Sequence, residues 1–295
     1  DFFKHDPKDL AYQTFNENAI REINRRKQAR DMLLVSMGNF QKPIADAVGL
    51  MAVEMGIGYT GVFCKYRVFE SYAWMHYLYG MMYPNQSACD GSWYDCVIPN
   101  YFDPNDFEFS EEKDDYYLFV GRLTPRKGLH VAQQVVDNIG AKLIVAGQGK
   151  LSDLGINSPN VEHVGTVDVK QRSDLMKKAK AIFVPTIYLE PFGGVAVEAM
   201  FCGCPAITSD WGVFSETILD NVTGYRCRTF DDFVWAAKNV DKLNPKDCRD
   251  WAVKNFSMDQ VKWMYQHYFD QLQDLFGKGW YELHENEGSD HKWLQ

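Results

Sequence analysis

Two carboxylates eight positions apart, Glu190 and Glu198, flank the pair Gly193-Gly194 in the segment Glu-Pro-Phe-Gly-Gly-Val-Ala-Val-Glu-Ala-Met. An apolar run, 181–184, leads into this segment and another, 205–208, follows it. That order predicts strand, glycine turn, short helix, strand. Glycines in the turn let a ligand approach bare backbone, and the start of a helix favours an anion. Ionised carboxylates are strong acceptors for hydroxyl groups. Glu198 falls about a turn and a half inside the predicted helix. A phosphate site between two hydroxyl acceptors is what a sugar nucleotide requires.

A second cluster stands about seventy residues upstream. Gly121 ends the apolar run 116–120 and lets the chain turn at the carboxyl end of a buried strand, where open α/β sheets bind ligands. Arg122 then offers a planar fork to phosphate and Lys127 a point charge. Together they could neutralise a diphosphate leaving group as its bond to the sugar breaks.

These residues need a scaffold, and the 111–257 half alternates cleanly. Strands are predicted at 116–120, 142–146, 161–164, 181–184 and 205–208, and helices at 129–139, 170–179 and 231–240, the last with Thr229 as its cap. Short apolar strands alternating with helices imply a parallel sheet covered on both faces. Upstream, 11–30 has helical character, 32–36 reads as a strand and 43–48 as a short helix opened by Pro43. The segment 67–79 reads as a further helix, because Val68, Tyr72, Met75, His76 and Tyr79 recur at helical spacing. A short strand at 96–100 and an acidic linker at 107–115 close this half. Ser257 opens a last long helix, with Gln260 placed for a capping box, and the tail 284–295 is polar.

With a net charge of −9, non-specific binding to nucleic acid is disfavoured. No apolar run approaches the roughly 20 residues of a membrane span. The seven cysteines lack metal-ligand spacing and read as reduced, mostly buried thiols. No Asp-x-Asp pair or His/Asp cluster suggests a divalent ion, so no metal is expected, and no cofactor.

The two blocks together resemble the signature of retaining glycosyltransferases with the GT-B fold, the group that includes glycogen and sucrose synthases. The match runs through Glu190, Pro191, Phe192, Gly193 and Glu198, then Ala199, Met200, Cys202, Gly203 and Pro205. Glu216 and Gly224 also fall on the family pattern. Phe119-Val120-Gly121-Arg122, with Lys127-Gly128 after it, resembles the family's phosphate-binding strand end. The resemblance spans roughly 95–256 and is weak over the first ninety residues.

It implies an α/β protein of two Rossmann-like domains facing a cleft. Residues 1–110 would form an acceptor-side domain lacking its opening βαβ portion, and 111–257 the nucleotide-sugar domain. Residues 258–295 would hold a helix crossing back to the first domain, plus the tail. The implied reaction moves a sugar from a UDP-sugar or GDP-sugar to a hydroxyl of a glycan, lipid or small molecule, with retention of anomeric configuration, in the cytoplasm. Arg122, Lys127 and Glu190 would be catalytic, with Glu190 on the transferred sugar. Glu198 would accept from the ribose, and Gly193 and Gly194 would present N–H groups to the diphosphate. Gly121, Thr186, Phe192 and Val195 complete the donor segment, and His163 would border the base. Three departures stand out: Gly194 where a larger residue is common, Thr186 for Ser, and Trp211-Gly212 where a Gly-Gly pair is common. A non-enzymatic sugar-nucleotide module and a nucleotide-sugar epimerase are the alternatives on this fold.

The first half gives less. Segment 54–61 carries three glycines, so Gly56, Gly58 and Tyr59 either back onto a ligand or form a plain loop. His76 is a donor-contact candidate, although a position on an apolar stripe suits a core histidine better. Arg21, Arg25, Arg26, Lys27 and Arg30 form a basic run suited to anionic lipid or to a solvated helix face.

Overall fold

The computed structural model describes residues 6, 8–82 and 92–274. The first part of the chain builds α1 (Leu10–Arg26), β1 (Met32–Val35), α2 (Lys42–Val48), β2 (Met51–Ile57), β3 (Tyr66–Phe69), α3 (Tyr72–Met82) and β4 (Asp95–Val97). Its four strands pair in the order β1-β2-β3-β4, all parallel. The second part builds β5 (Tyr117–Val120), α4 (Leu129–Ile139), β6 (Leu143–Ala146), β7 (Val161–Gly165), α5 (Val169–Lys178), β8 (Ile182–Val184) and α6 (Gly194–Phe201). It continues with β9 (Ala206–Ser209), α7 (Phe214–Thr217), β10 (Gly224–Cys227), α8 (Phe230–Asn239), α9 (Pro245–Phe256) and α10 (Met258–Asp274). Six parallel strands run β10-β9-β8-β5-β6-β7.

This second order decides where a ligand can sit. From β5 the chain steps outward to β6 and β7, then returns to the other side of β5 and steps outward again through β8, β9 and β10. The carboxyl ends of β5 and β8 therefore diverge, and the crevice between them is the switch point at which doubly wound sheets bind ligands. The middle strands are apolar throughout because both faces are covered. Leu118, Ile182 and Ala206 face a layer with Met176, Met200 and Ala252, whereas Phe119, Val145 and Phe183 face a layer with Leu129, Val135 and Phe233.

Two crossings join the halves, and they run side by side. Phe102 N–H donates to Phe256 O at 3.0 Å and Met258 N–H donates to Phe102 O at 2.9 Å. Beyond this point α10 returns to the first sheet, where Val261, Tyr268 and Leu272 pack with Val53, Val68 and Ile98.

The predicted helix 67–79 is corrected: residues 66–69 form β3, and the helix begins at Tyr72. Val68 and Phe69 are wholly buried between β2 and β4, so sheet packing overrides the helical spacing. Ser71 ends the strand and accepts from Trp74 N–H at 3.1 Å, starting the helix. Residues 54–57 belong to β2 rather than to a turn. β10 and α9 were not read from the sequence, although Asn244 and Pro245 mark the start of α9. The tail 284–295 lies outside the described residues.

Candidate active site

Both walls of the crevice begin at strand ends. Gly121 and Arg122 leave β5, and the segment from Pro185 to Glu190 leaves β8. The single-turn helix Pro125–Lys127 is pressed onto that segment: Ile187 N–H donates to Arg126 O at 3.0 Å. Gly128 closes the turn at φ +74°, and a Cβ there would stand 2.0 Å from Pro185 O. Only glycine serves both the left-handed backbone and this approach.

The turn aims Lys127 at Glu190. Its Nζ lies 2.8 Å from Oε2 and 3.1 Å from Oε1, and the two side chains are 19% and 13% exposed. The Tyr188 ring completes the group, with the Arg126 guanidinium 4.6 Å and the Lys127 ammonium 5.0 Å from its centre. Burial, then the Glu190 charge, pushes the Tyr188 phenol up, while Arg122 and Arg126 pull it down. Arg122 thus stands within electrostatic reach of the same cluster.

Next comes α6. Gly193 takes φ +72°, and a Cβ there would meet the Phe214 ring at 2.7 Å. No side chain caps the helix, and Gly194 and Val195 in its first turn are partly exposed. The first N–H groups of a helix have no partner within it. Further along, Glu198 is held by Arg172 of α5: Nη2 donates to Oε1 at 2.9 Å, and Nε lies 2.9 Å from Oε2 without hydrogen-bond alignment. Burial outweighs the Arg172 charge and raises the Glu198 carboxyl to about 7.

The first sheet supplies the opposite wall. Ser71 Oγ donates to Pro191 O at 2.6 Å. The Glu216 carboxylate accepts from Tyr72 N–H at 2.9 Å and Ala73 N–H at 2.8 Å, so a side chain of α7 caps α3 across the cleft. Glu70 precedes Ser71, and its carboxyl rests against Gly58, where a Cβ would come within 2.3 Å of Oε2. Burial raises its pKa, Asn100 opposes, and Glu190 adds a further push upward.

The residues singled out by sequence therefore separate. Lys127, Glu190 and Arg122 gather, with Gly121, Gly193, Gly194, Val195 and Glu198 around them. The Phe192 ring is 4% exposed and packs between the rings of Phe102 and Phe256. His163 Nε2, on the edge strand β7, donates to Gly147 O at 2.9 Å. Thr186 is fully buried with no partner for its hydroxyl, and its carbonyl accepts from Ser209 Oγ and Trp211 Nε1. Gly58 backs onto Glu70, Gly56 takes φ +57° where the β2–β3 register shifts, and Tyr59 OH donates to buried Glu54. His76 is exposed beside the Tyr72 ring and is no core histidine. In the basic run, Arg25 and Arg26 pair with Glu22, and Lys27 donates to Val48 O. Sequence reasoning missed Arg172 and Glu70. Both carry ordinary surface-residue types, and only tertiary packing makes them informative.

Among the described residues no three His, Cys, Asp or Glu side chains gather as metal ligands, and no helix is long and apolar enough to cross a membrane. The sequence profile of the glycosyl transferases group 1 matches residues 103–253, just over half of the 295. The chain belongs to that family. An uncharacterized glycosyltransferase of Methanocaldococcus jannaschii is 31% identical over 166 residues, covering 52% of this chain and 40% of that protein. Glycogen synthase of Mycobacterium tuberculosis is 33% identical over 126 residues, 39% of this chain and 30% of its own length. The chain thus spans less than half the length of these curated relatives. Among solved structures, AviGT4, a glycosyltransferase involved in avilamycin A biosynthesis, superposes with a TM-score of 0.70 at 20% identity, covering 88% of this chain and 79% of its own. Anabaena HepE in complex with UDP and glucose gives 0.67 at 15% identity, covering 90% and 84%. At that identity these likenesses establish the fold: GT-B, two Rossmann-like domains facing a cleft.

Proposed function

We propose that this chain transfers a sugar from a nucleoside-diphosphate sugar to an acceptor hydroxyl with retention of anomeric configuration. The observation that carries the reading is the Lys127–Glu190 pair, half enclosed at the switch point, with Arg122 and Tyr188 beside it. Lys127 and Arg122 supply the positive charge that a departing diphosphate needs. Glu190, oriented by Lys127, accepts from hydroxyls of the transferred sugar. The open N–H groups at Gly194 and Val195 suit the diphosphate oxygens.

In the proposed step the bond between the anomeric carbon and the β-phosphate oxygen breaks. The acceptor oxygen bonds to that carbon on the same face, and its proton passes to the departing phosphate oxygen. The chemistry needs no metal or cofactor beyond the donor. A neighbour of the same fold holding UDP and glucose makes UDP-glucose the first donor to test. The experiment incubates wild type and Lys127→Ala with UDP-, GDP- and ADP-sugars and an acceptor panel of glycans, polyols and lipids. Glycoside formed by wild type with the donor's anomeric configuration, and lost in the variant, supports the reading. A wild type releasing an altered sugar without needing an acceptor would make it an epimerase instead.

A further inference from the structure

The Glu198 side chain does not stand alone, and its partner is an unusual one for its place. Arg172 lies in the first turns of α5, just after the capping box in which the Asp168 side chain accepts from Gln171 N–H and the Gln171 side chain accepts from Asp168 N–H. A helix start is unfavourable for a cation. Arg172 is nevertheless only 24% exposed, and its charge is turned away from solvent onto a carboxylate that is 12% exposed. The capping box fixes the helix start, and the wholly buried Met176 one turn on fixes its rotation against the core. Arg172 therefore has little freedom: its Nη2 donates to Glu198 Oε1 at 2.9 Å, and its Nε stands 2.9 Å from Oε2 as an ion-pair contact.

A carboxylate has about four lone-pair positions. The Nη2 hydrogen bond takes one direction on Oε1, Nε stands beside Oε2 as an ion-pair contact, and the other lone pairs are left for further donors. We infer that Arg172 is a positioning residue for nucleotide recognition: it orients Glu198 so that the free lone pairs receive the vicinal ribose hydroxyls of the donor. This rests on the sugar-nucleotide reading of the site and deepens it. A lysine, offering a point charge rather than a planar group, could neutralise Glu198 but would not hold the carboxylate in one orientation.

The test is calorimetric titration with UDP, GDP and their 2′-deoxy forms, using wild type, Glu198→Ala, Arg172→Met and Arg172→Lys, each shown to be folded by its unfolding transition. Wild type should prefer the ribonucleotide by about tenfold or more, the worth of a hydrogen bond to a charged group. Glu198→Ala and Arg172→Met should both lose that preference, and Arg172→Lys should keep part of it. A merely structural role for Arg172 would lower stability and leave the ribose preference unchanged, and that result overturns the inference. If Glu198→Ala keeps the preference, the assignment of Glu198 to ribose fails, and the inference fails with it. If neither diphosphate binds wild type, the donor reading itself is wrong.

Discussion

Lys127 and Glu190 stand 63 positions apart in the chain and 2.8 Å apart in the fold. One is carried by the turn after β5, the other by the segment after β8. Their meeting depends on the strand order, because β5 and β8 are neighbours only where the winding of the sheet reverses. Lys127→Ala should reduce transfer by about a hundredfold or more. It should also destabilise the unliganded fold by about 2 kcal/mol, since a largely enclosed carboxylate loses its charged partner. Adding Glu190→Gln to that variant should restore much of the stability and none of the activity. Urea melts and turnover on the four members of the cycle check both outcomes.

Gly128 is held by backbone. A Cβ would overlap Pro185 O at 2.0 Å, and no side-chain rotation relieves that contact. Gly128→Ala should therefore cost more than about 2 kcal/mol and pull Lys127 off Glu190. Gly140 shares the left-handed backbone at φ +68° but faces open space. Gly140→Ala should cost only about 1 kcal/mol and leave activity untouched. Parallel urea melts and rates distinguish the two positions.

The Glu198 carboxyl titrates near 7 in the folded chain against 4.5 as an ordinary side chain. Between these values the folded state holds the extra proton. Its contribution to stability is therefore fully present below about 4.5 and is lost as pH rises through 7. Wild type should lose on the order of 3 kcal/mol relative to Glu198→Gln between pH 4.5 and pH 8. Nucleotide affinity should move the opposite way, weakening as pH falls below 7, because the protonated carboxyl accepts more poorly. Urea melts across this range check the first statement and titrations at pH 6 and 8 the second.

Glu216 ties the halves together by accepting from Tyr72 and Ala73 N–H groups at the start of α3. Glu216→Ala should cost about 1 kcal/mol as a lost cap. The local signature is faster hydrogen exchange at the Tyr72 and Ala73 amides, with exchange in β5 and β6 unchanged.

The sequence exposed the second sheet well, because strands buried on both faces appear as short apolar runs punctuated by glycines. The first sheet was harder. Val68, Tyr72 and Tyr79 satisfy a helical spacing although β3 occupies the first of these positions, and burial between β2 and β4 settles the matter. Lys127 and Glu190, which the fold brings together, could be picked out by type and motif position. The packing of the Phe192 ring was not legible, since an aromatic residue in a motif has the same letter whether its ring faces solvent or Phe256. Arg172 was invisible because Lys170-Gln171-Arg172 reads as a solvated helix face, and its target lies 26 positions away.

A nucleoside diphosphate should dock in the crevice between β5 and β8 on Arg122 and Lys127. Titration of UDP and GDP into wild type, Arg122→Ala and Lys127→Ala measures it directly. At least one diphosphate should bind wild type, and each variant should weaken that binding about tenfold or more. Undiminished affinity in both variants, or no binding by wild type, would rule out this docking site.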